Sequence, residues 1–135
     1  MKTLALSMIL LLPLAVIPVG AQTDPPGNDG FAKWWPQFQA AVAARDAKTV
    51  ARGAHSPMDW ENGPIRQIKS EADLVEHFDT YFTPEIRKAV AAGKPERLPN
   101  GIYSITWKAR GNEYSMYFEA SGGGFVLQAL SEGPG

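Results

Sequence analysis

Apolar and polar residues alternate along the last third of the chain, Ile102 to Leu130, as in β-strands that bury one face. Two strand-like runs flank Gly111-Asn112, and a third follows residues 121–124. A two-residue turn at Gly111-Asn112 sets apolar residues opposite one another, in the pairs Ala109–Tyr114, Trp107–Met116, Ile105–Phe118 and Tyr103–Ala120. A shift of one residue would destroy this match, because side chains alternate along a strand. The pattern therefore predicts an antiparallel three-strand meander with one apolar face.

Helical periodicity dominates the segment that begins at Phe31. Apolar residues recur at helical spacing up to Val42, and four alanines raise the helix propensity. We expect a helix over residues 31–45. Pro36 lies either in the first turn of a helix that starts near it or at a kink in a longer one.

Shorter elements are expected to follow. Asp46 is a suitable cap for a second helix over residues 47–52, which Gly53 would end. Residues 55–60 are typical of a short edge or bulged strand, because a proline stands inside the run. Residues 65–69 form a weaker second strand after a turn.

The clearest helix signal opens at Ser70, where Ser70-x-x-Asp73 resembles a capping box. The apolar stripe of this helix extends to Phe82. Thr83-Pro84 is a second helix start, with a cap residue followed by proline at the first helical position. Gly93 is expected to end that helix.

This order of elements predicts an α+β fold, in which the N-terminal and central helices pack on the concave face of a curved antiparallel sheet. A bent sheet of this kind leaves a cone with an open mouth, where ligand sites are favoured. We expect a flexible Pro/Gly-rich leader over residues 22–30, one domain over residues 31–131 and a tail over residues 132–135.

The N-terminus has the pattern of a signal peptide. Lys2 precedes an almost continuous apolar run over residues 4–16, and Val19-Gly20-Ala21 supplies small residues for cleavage after Ala21. The alternative is an uncleaved anchor, but the run is shorter than the roughly 20 residues that span a bilayer, and prolines interrupt it. The prediction is export to the periplasm or the medium of a bacterium, with no membrane attachment after cleavage.

Composition narrows the chemistry. The chain has no cysteine, which excludes disulfides, thiol nucleophiles and thiolate metal sites. Its net charge is −1 and no basic cluster occurs, so nucleic acid is not an expected partner.

Two segments carry a resemblance to a known family: WWPQFQAAVAARDAKTVA at residues 34–51 and IKSEADLVEHFDTYFTPEIRKAV at residues 68–90. With the closing meander, they resemble the NTF2-like (cystatin-like α+β, SnoaL-like) superfamily, particularly its small exported bacterial members of unassigned role. The resemblance covers about residues 31–130. It implies a cone-shaped fold and a homodimer through the open sheet, but it leaves activity open, since the superfamily contains isomerases, dehydratases, cyclases, transport factors and binding modules. None of their catalytic motifs matches this chain residue by residue.

The two histidines are the candidates for acid–base chemistry. His55 and Asp59 lie four apart on the expected strand and so point to the same side, where they would move a proton if that side faces the cone. The ordinary alternative is a pair of polar edge residues facing water. Asp73 and His77 lie four apart on a helix and can touch as a solvated pair. No spacing indicates a metal site, and no cofactor is expected.

Aromatic residues are the candidates for ligand contact. The expected lining consists of Trp35, Trp60, Tyr103, Trp107 and Met116, which would stack on sugars or other ring compounds. Core filling is the ordinary alternative for the same residues. Trp34 and Trp35 are adjacent, so one of them is expected at the margin of the helical stripe and partly exposed.

The sequence therefore predicts a non-catalytic module that binds a small apolar or ring-bearing ligand, or a protein partner, at a mouth between the first helix and the meander. A second hypothesis is a cofactor-free acid–base enzyme of the isomerase, dehydratase or cyclase type that uses Asp59 with His55 or a tyrosine such as Tyr103. A third is a cell-envelope interaction or inhibitor protein that acts through an edge strand or Trp34.

Overall fold

The computed structural model describes residues 29–135, so the expected signal peptide and most of the expected leader lie outside the described residues. The helices are α1 (Phe31–Ala43), α2 (Ala47–Arg52), α3 (Glu71–Glu76), α4 (Phe78–Tyr81) and α5 (Pro84–Ala92). The strands are β1 (Met58–Asn62), β2 (Ile65–Ile68), β3 (Glu96–Arg97), β4 (Tyr103–Ala109), β5 (Asn112–Ser121) and β6 (Gly124–Pro134). The predicted α+β class is confirmed.

The strands form one six-stranded sheet in the order β2-β1-β6-β5-β4-β3. The sheet is mixed, because β1 pairs parallel with β6 at Trp60 and Leu130, whereas the other neighbours are antiparallel. The prediction of a purely antiparallel sheet is therefore wrong. The hairpin β1–β2 joins the meander along the outer edge of β6, and hydrogen bonds of Gly53 and His55 to Leu127 extend this parallel contact.

The predicted N-terminal caps of α2 and α5 are confirmed. Asp46 accepts a hydrogen bond from the backbone N–H of Thr49 at 3.3 Å, and α2 ends at Gly53. Thr83 caps α5 through the N–H of Ile86 at 3.3 Å. Pro36 stands inside α1, so the longer of the two expected helices is the one observed.

The expected continuous helix after Ser70 is divided at His77, whose φ of −119° and ψ of 36° leave the helical range. Ser70 caps α3 as predicted. The carboxylate of Asp73 connects the two segments, because it accepts from the hydroxyl of Tyr81 at 2.7 Å and from the backbone N–H of Lys69 at 3.1 Å. His77 Nδ1 lies 3.1 Å from the other oxygen of the same carboxylate, as expected for residues four apart.

The first β-hairpin differs from the prediction at its start. Pro57, joined to Ser56 by a cis peptide bond, precedes β1, which spans Met58–Asn62 rather than residues 55–60. Proline has no N–H to contribute to a strand ladder, which explains its place outside the strand.

The meander is present, but its first turn lies one residue earlier than predicted, which shifts the pairing of the first two strands by two residues. The turn residues are Arg110 and Gly111, with φ of 52° and 80°. A two-residue turn of this type needs positive φ at both central positions, and Gly111 fits the second of them. The observed pairs are Trp107–Tyr114, Ile105–Met116 and Tyr103–Phe118. Because the shift is even, the predicted residues still share one face.

The third strand is longer than expected. Gln128 bulges out between the pairs Tyr117–Ala129 and Phe118–Leu127, which returns Leu130 to the buried face. The residues from 132 to Pro134 continue β6 instead of forming a tail, because Glu132 is paired opposite Tyr114.

The core lies between the helices and one face of the sheet, here called the inner face. The inner face carries the buried side chains Trp60, Tyr103, Ile105, Tyr114, Met116, Phe118, Phe125, Leu127 and Leu130. Helix α1 packs on it through Phe31, whose ring stacks on Tyr103 with centroids 3.9 Å apart and planes at 2°. Helix α4 is followed by Phe82, whose ring lies 5.1 Å from that of Trp60. No helix in the described part of the chain is long and apolar enough to span a membrane.

Candidate functional site

The five residues expected to contact a ligand are mostly part of the core. Trp60, Tyr103 and Met116 are fully buried, Trp35 is 8% exposed, and Trp107 is partly buried against the core. The Trp60 indole N–H donates to the backbone oxygen of Tyr81 at 3.1 Å. Core filling, the ordinary alternative for aromatic residues, therefore accounts for all but Trp107.

An open groove lies beside this core, between the start of α1 and the hairpin β5–β6. We call it the N-terminal groove. It consists of a depression of about 740 Å³ and an adjoining one of about 260 Å³, which share the lining residues Asp29, Gly123, Gly124 and Phe125. This is the place expected for a ligand mouth, between the first helix and the meander. The five aromatic and methionine residues of the prediction do not line it.

Helix α1 and the hairpin turn form the walls of the N-terminal groove. Gly122 and Gly123 have φ of 56° and 83° and close the two-residue turn between β5 and β6. Neither glycine has a side chain to project into the groove, and no atom lies within 4 Å of the position that a Cβ would take at either residue. Lys33 and Trp34 line the groove from α1, and Trp34 is partly exposed, as expected for one of the two adjacent tryptophans.

A buried tyrosine and a carboxylate meet at this end of the sheet. The Tyr103 hydroxyl donates to Asp29 Oδ2 at 2.7 Å, and Arg97 Nε lies 3.8 Å from the same oxygen. Asp29 Oδ1 also accepts from the backbone N–H of Phe31 at 3.1 Å, which fixes the carboxylate at the start of α1. Burial, reinforced by the hydrogen bond to Asp29, raises the pKa of Tyr103 to about 12. Tyr103 is therefore a neutral donor at neutral pH.

A second polar cluster occupies the opposite end of the inner face, beside the Arg110-Gly111 turn. The Tyr114 hydroxyl donates to Glu132 Oε2 at 2.7 Å and accepts from Arg110 Nη2 at 2.6 Å. Arg110 also donates to Glu85 of α5 and, at 3.1 Å, to Asn62 of β1. We call this set the turn-end cluster. Four strands or helices and the turn itself are therefore joined by one guanidinium and one phenol.

The electrostatics of the turn-end cluster fix its charges. Burial, then the hydrogen bond to Glu132, raises the pKa of Tyr114. The same hydrogen bond is the main cause of the lowered pKa of Glu132. The hydrogen bond to Glu85 raises the pKa of Arg110. At neutral pH, these shifts favour an anionic Glu132, a cationic Arg110 and a neutral Tyr114.

The Trp107 indole is the unusual member of this end. Its ring stacks on Tyr114 with centroids 5.7 Å apart, yet its N–H is buried without a hydrogen-bond partner in the described part of the chain. Every other buried side-chain nitrogen or oxygen described here has a partner. A buried donor of this kind costs roughly 1–3 kcal/mol of stability.

The residues of the acid–base hypothesis do not meet in an enclosed site. His55 and Asp59 are both exposed, and His55 Nδ1 lies 3.0 Å from the backbone oxygen of Pro57. An acid–base site requires a carboxylate or imidazole held in a cavity with a hydrogen-bonded partner, and neither residue has such surroundings. The third polar set, Asp73 with His77 and Tyr81, ties α3 to α4. Its hydrogen bonds to Tyr81 and Lys69 lower the pKa of Asp73, and burial raises that of Tyr81 to about 12.

Several residues of these sites were missed by sequence reasoning. Asp29 was assigned to the flexible leader, and its partner Tyr103 is 74 positions away. Glu132 falls in the predicted tail. Strand alternation places its partner Tyr114 on the inner face, but it does not indicate that Glu132 lies beside it. Arg110 was assigned to a strand end, and its positive φ is unusual for a residue with a side chain. No local pattern identifies contacts of this range.

Among residues 29–135, no group of three or more histidine, aspartate or glutamate residues is arranged to hold a metal ion. Comparison of the chain with protein-family models, curated proteins and solved structures finds no significant match.

Proposed function

We propose that this protein is an exported, non-catalytic binding module with an NTF2-like fold, and that its ligand is a small molecule held in the N-terminal groove. The size of the groove supports this proposal, because its larger depression of about 740 Å³ falls within the range of small-molecule sites. Its position supports it too, since side chains from α1, the β3–β4 connection and the hairpin β5–β6 converge there.

The observation that carries the non-catalytic part is the exposure of His55 and Asp59, which lack the enclosed surroundings of an acid–base site, and the direction of the pKa shifts elsewhere agrees with it. General acids and bases work best with a pKa near the pH at which they act. In the described part of the chain, each shifted carboxyl pKa is lowered, and each shifted phenol or guanidinium pKa is raised; the groups are Asp46, Asp73, Tyr81, Tyr103, Arg110, Tyr114 and Glu132. These shifts hold each group in one charge state, which suits binding rather than proton transfer.

The NTF2-like part of the proposal rests on the order and layering of the elements. Two N-terminal helices, a β-hairpin, a central group of helices and a long meander follow one another, and the helices cover one face of a mixed sheet. A cone with its mouth at the N-terminal groove is the arrangement that this layering favours. An experimental structure would test it, and a flat sheet with no opening beside α1 would contradict it.

The export part rests on the first 21 residues of the sequence. Mass spectrometry of the protein recovered from the periplasm or medium of a bacterial host tests it. The expected mature chain begins at Gln22. Recovery of the uncleaved chain from the membrane fraction would contradict the proposal and favour the anchor.

The binding site is tested with a pair of α1 variants. Gln37 is exposed and lines the N-terminal groove, whereas Ala40 is also exposed on α1 but does not line it. Gln37→Trp is expected to fill the groove, and Ala40→Trp is the matched control. NMR screening of the mature protein with a library of small cyclic fragments should shift amide signals around Lys33 and Gly124. Those shifts should disappear in Gln37→Trp and persist in Ala40→Trp; shifts confined to other surfaces would contradict the proposal.

A further inference from the structure

We infer that the ligand of the N-terminal groove is a neutral saccharide chain. This inference rests on the proposed function and adds the chemical class of the ligand. Three properties of the groove support it: an elongated shape, balanced charge, and a lining that mixes polar side chains with apolar ones, among them Trp34 and Phe125.

The shape is that of a track along α1. A third depression, of about 90 Å³, shares Trp34 and Gln37 with the second one and extends to Thr49 of α2 and to Gly53, which follows that helix. The three depressions therefore adjoin one another from the β3–β4 connection to the end of α2. An extended ligand of several linked rings matches this path better than one compact molecule.

The charge of the track is balanced. Its ionisable lining residues are two carboxylates, Asp29 and Glu119, and two bases, Lys33 and Arg97. Arg97 and Asp29 already lie within ion-pair distance, at 3.8 Å. A polyanion would meet carboxylates without excess positive charge, and a polycation would meet the reverse. The charge pattern thus favours a ligand without net charge.

The uncharged lining suits a polyhydroxylated ligand. Gln37 makes no side-chain hydrogen bond within residues 29–135, so its amide can both donate and accept. Asn100 uses its oxygen for the backbone N–H of Ile102 at 3.0 Å, which leaves its NH₂ group to donate. Ser121 adds a hydroxyl at the hairpin. Sugar hydroxyls both donate and accept, and therefore match this mixture.

Trp34 supplies the apolar contact between these groups. Its ring packs on Phe38 with centroids 5.1 Å apart, which holds it in place, and part of it is exposed to the track. The indole N–H makes no hydrogen bond within the described residues and is not buried. A pyranose ring presents C–H groups on its faces and hydroxyls at its rim, so it complements an indole with an accessible N–H.

A peptide fits the track less well. Peptides bind grooves by adding a strand to a free sheet edge or by inserting apolar anchors into pockets. The two strands of the hairpin pair with each other up to Ser121 and Gly124, and β4 pairs with β5 only up to Phe118. The β5 edge beside the track is therefore only three residues long, over residues 119–121, which is short for the addition of a strand. The depression next to Trp34 and Phe38 is small, at about 90 Å³.

The inference is tested by calorimetric and NMR titration of the mature protein. The probes are cellotetraose, maltotetraose and the tetramer of N-acetylglucosamine, with a heparin tetrasaccharide and tetra-alanine as contrasts. At least one neutral tetrasaccharide should bind with a Kd of about 0.1–1 mM, as for an open polar site. Trp34→Phe keeps the aromatic packing but removes the N–H, and it should weaken binding at least about fivefold. Trp107→Phe, a substitution outside the track, should leave the Kd unchanged.

Each result separates the two proposals. Tighter binding of the heparin fragment, or binding of tetra-alanine alone, overturns the saccharide inference and leaves the binding module in place. If small fragments bind in the groove but no neutral tetrasaccharide binds, the saccharide inference is likewise overturned and the binding module is kept. Absence of both fragment and saccharide binding from the groove contradicts the proposed function itself. If the wild type and Trp34→Phe bind the tetrasaccharide with equal affinity, the proposed contact of the sugar with the Trp34 N–H is overturned. Circular dichroism checks that each variant is folded.

Discussion

The two ends of the inner face carry the same chemical pair in different surroundings. At one end Tyr103 donates to Asp29, and at the other Tyr114 donates to Glu132, both at 2.7 Å. An arginine stands beside each pair. The Asp29 pair borders an open groove of about 740 Å³, whereas Arg110 links the Glu132 pair to α5 and β1.

This difference supports the proposal that one end serves the fold and the other a ligand. In the turn-end cluster, the side chains hydrogen-bond to one another: Arg110 donates to Glu85, Asn62 and Tyr114, and Tyr114 donates to Glu132. In the N-terminal groove, Gln37 and Trp34 retain donors that bind nothing else among the described residues. The same tyrosine–carboxylate pair thus acts as a clamp at one end and, in our proposal, as the support of the ligand site at the other.

The largest expected effect concerns the apolar support of the groove end. Phe31→Ala removes a ring that stacks on Tyr103 at 3.9 Å and lies 5.0 Å from Phe125. It should reduce the free energy of unfolding in urea by about 3–5 kcal/mol. Tyr117→Ala, on the opposite and partly exposed face of β5, is the control and should cost about 1 kcal/mol. A loss below about 2 kcal/mol at Phe31 would show that this end does not depend on aromatic stacking.

The next prediction compares the two tyrosines directly. Tyr114→Phe should cost about 1.5–3 kcal/mol, and Tyr103→Phe should cost less, near about 1 kcal/mol. The reason is solvent access, because the Glu132 side chain is 17% exposed and that of Asp29 is 31% exposed. Water replaces the lost donor more easily at Asp29. Urea unfolding of both variants measures the order, and a larger loss at Tyr103 would reverse the assignment of clamp and support.

The sequence could predict the features that depend on neighbouring residues. The caps at Asp46, Ser70 and Thr83 were predictable because each accepts a hydrogen bond from a backbone N–H only three residues ahead. The buried face of the meander was predictable as well, because a register error of two residues preserves the alternation of side chains. Ile105 and Met116 therefore remain on the face to which the pattern assigned them.

The features that determine the candidate site depend on contacts between distant residues. The Gln128 bulge changes which β6 residues face inward, and nothing in the local sequence marks it. The partners Arg110 and Asn62 are 48 positions apart, and Tyr103 and Asp29 are 74 apart. Aromatic residues were expected at the ligand because they are large and ring-shaped, but the same properties place them in the core. The groove is lined instead by other residues, a mixture of glycines, polar side chains and the apolar side chains of Trp34, Ile102 and Phe125.

Alkaline pH provides a further test of the groove end, because the protonation of Tyr103 contributes to stability there. Its pKa is about 12 in the folded protein and 10.0 in the reference state, so the folded state holds the proton more tightly. The resulting stabilisation is present in full below about pH 10 and is lost as the pH rises through the folded value of about 12. Between pH 9 and pH 11, the free energy of unfolding in urea should therefore fall more for the wild type than for Tyr103→Phe. An equal fall in the free energy of unfolding in both proteins would mean that the surroundings of Tyr103 do not hold its phenol neutral.

The smallest expected effect is at Trp107, whose ring stacks on Tyr114 of the turn-end cluster. Trp107→Phe removes apolar volume but also removes a buried N–H that has no partner among residues 29–135, so the two contributions oppose each other. The free energy of unfolding should change by no more than about 0.5 kcal/mol. Trp60→Phe is the matched control: it removes a similar volume and leaves the Tyr81 carbonyl without its donor, and it should cost about 1–3 kcal/mol. Equal losses in both variants would show that the Trp107 N–H is satisfied in solution, by an ordered water or a ligand.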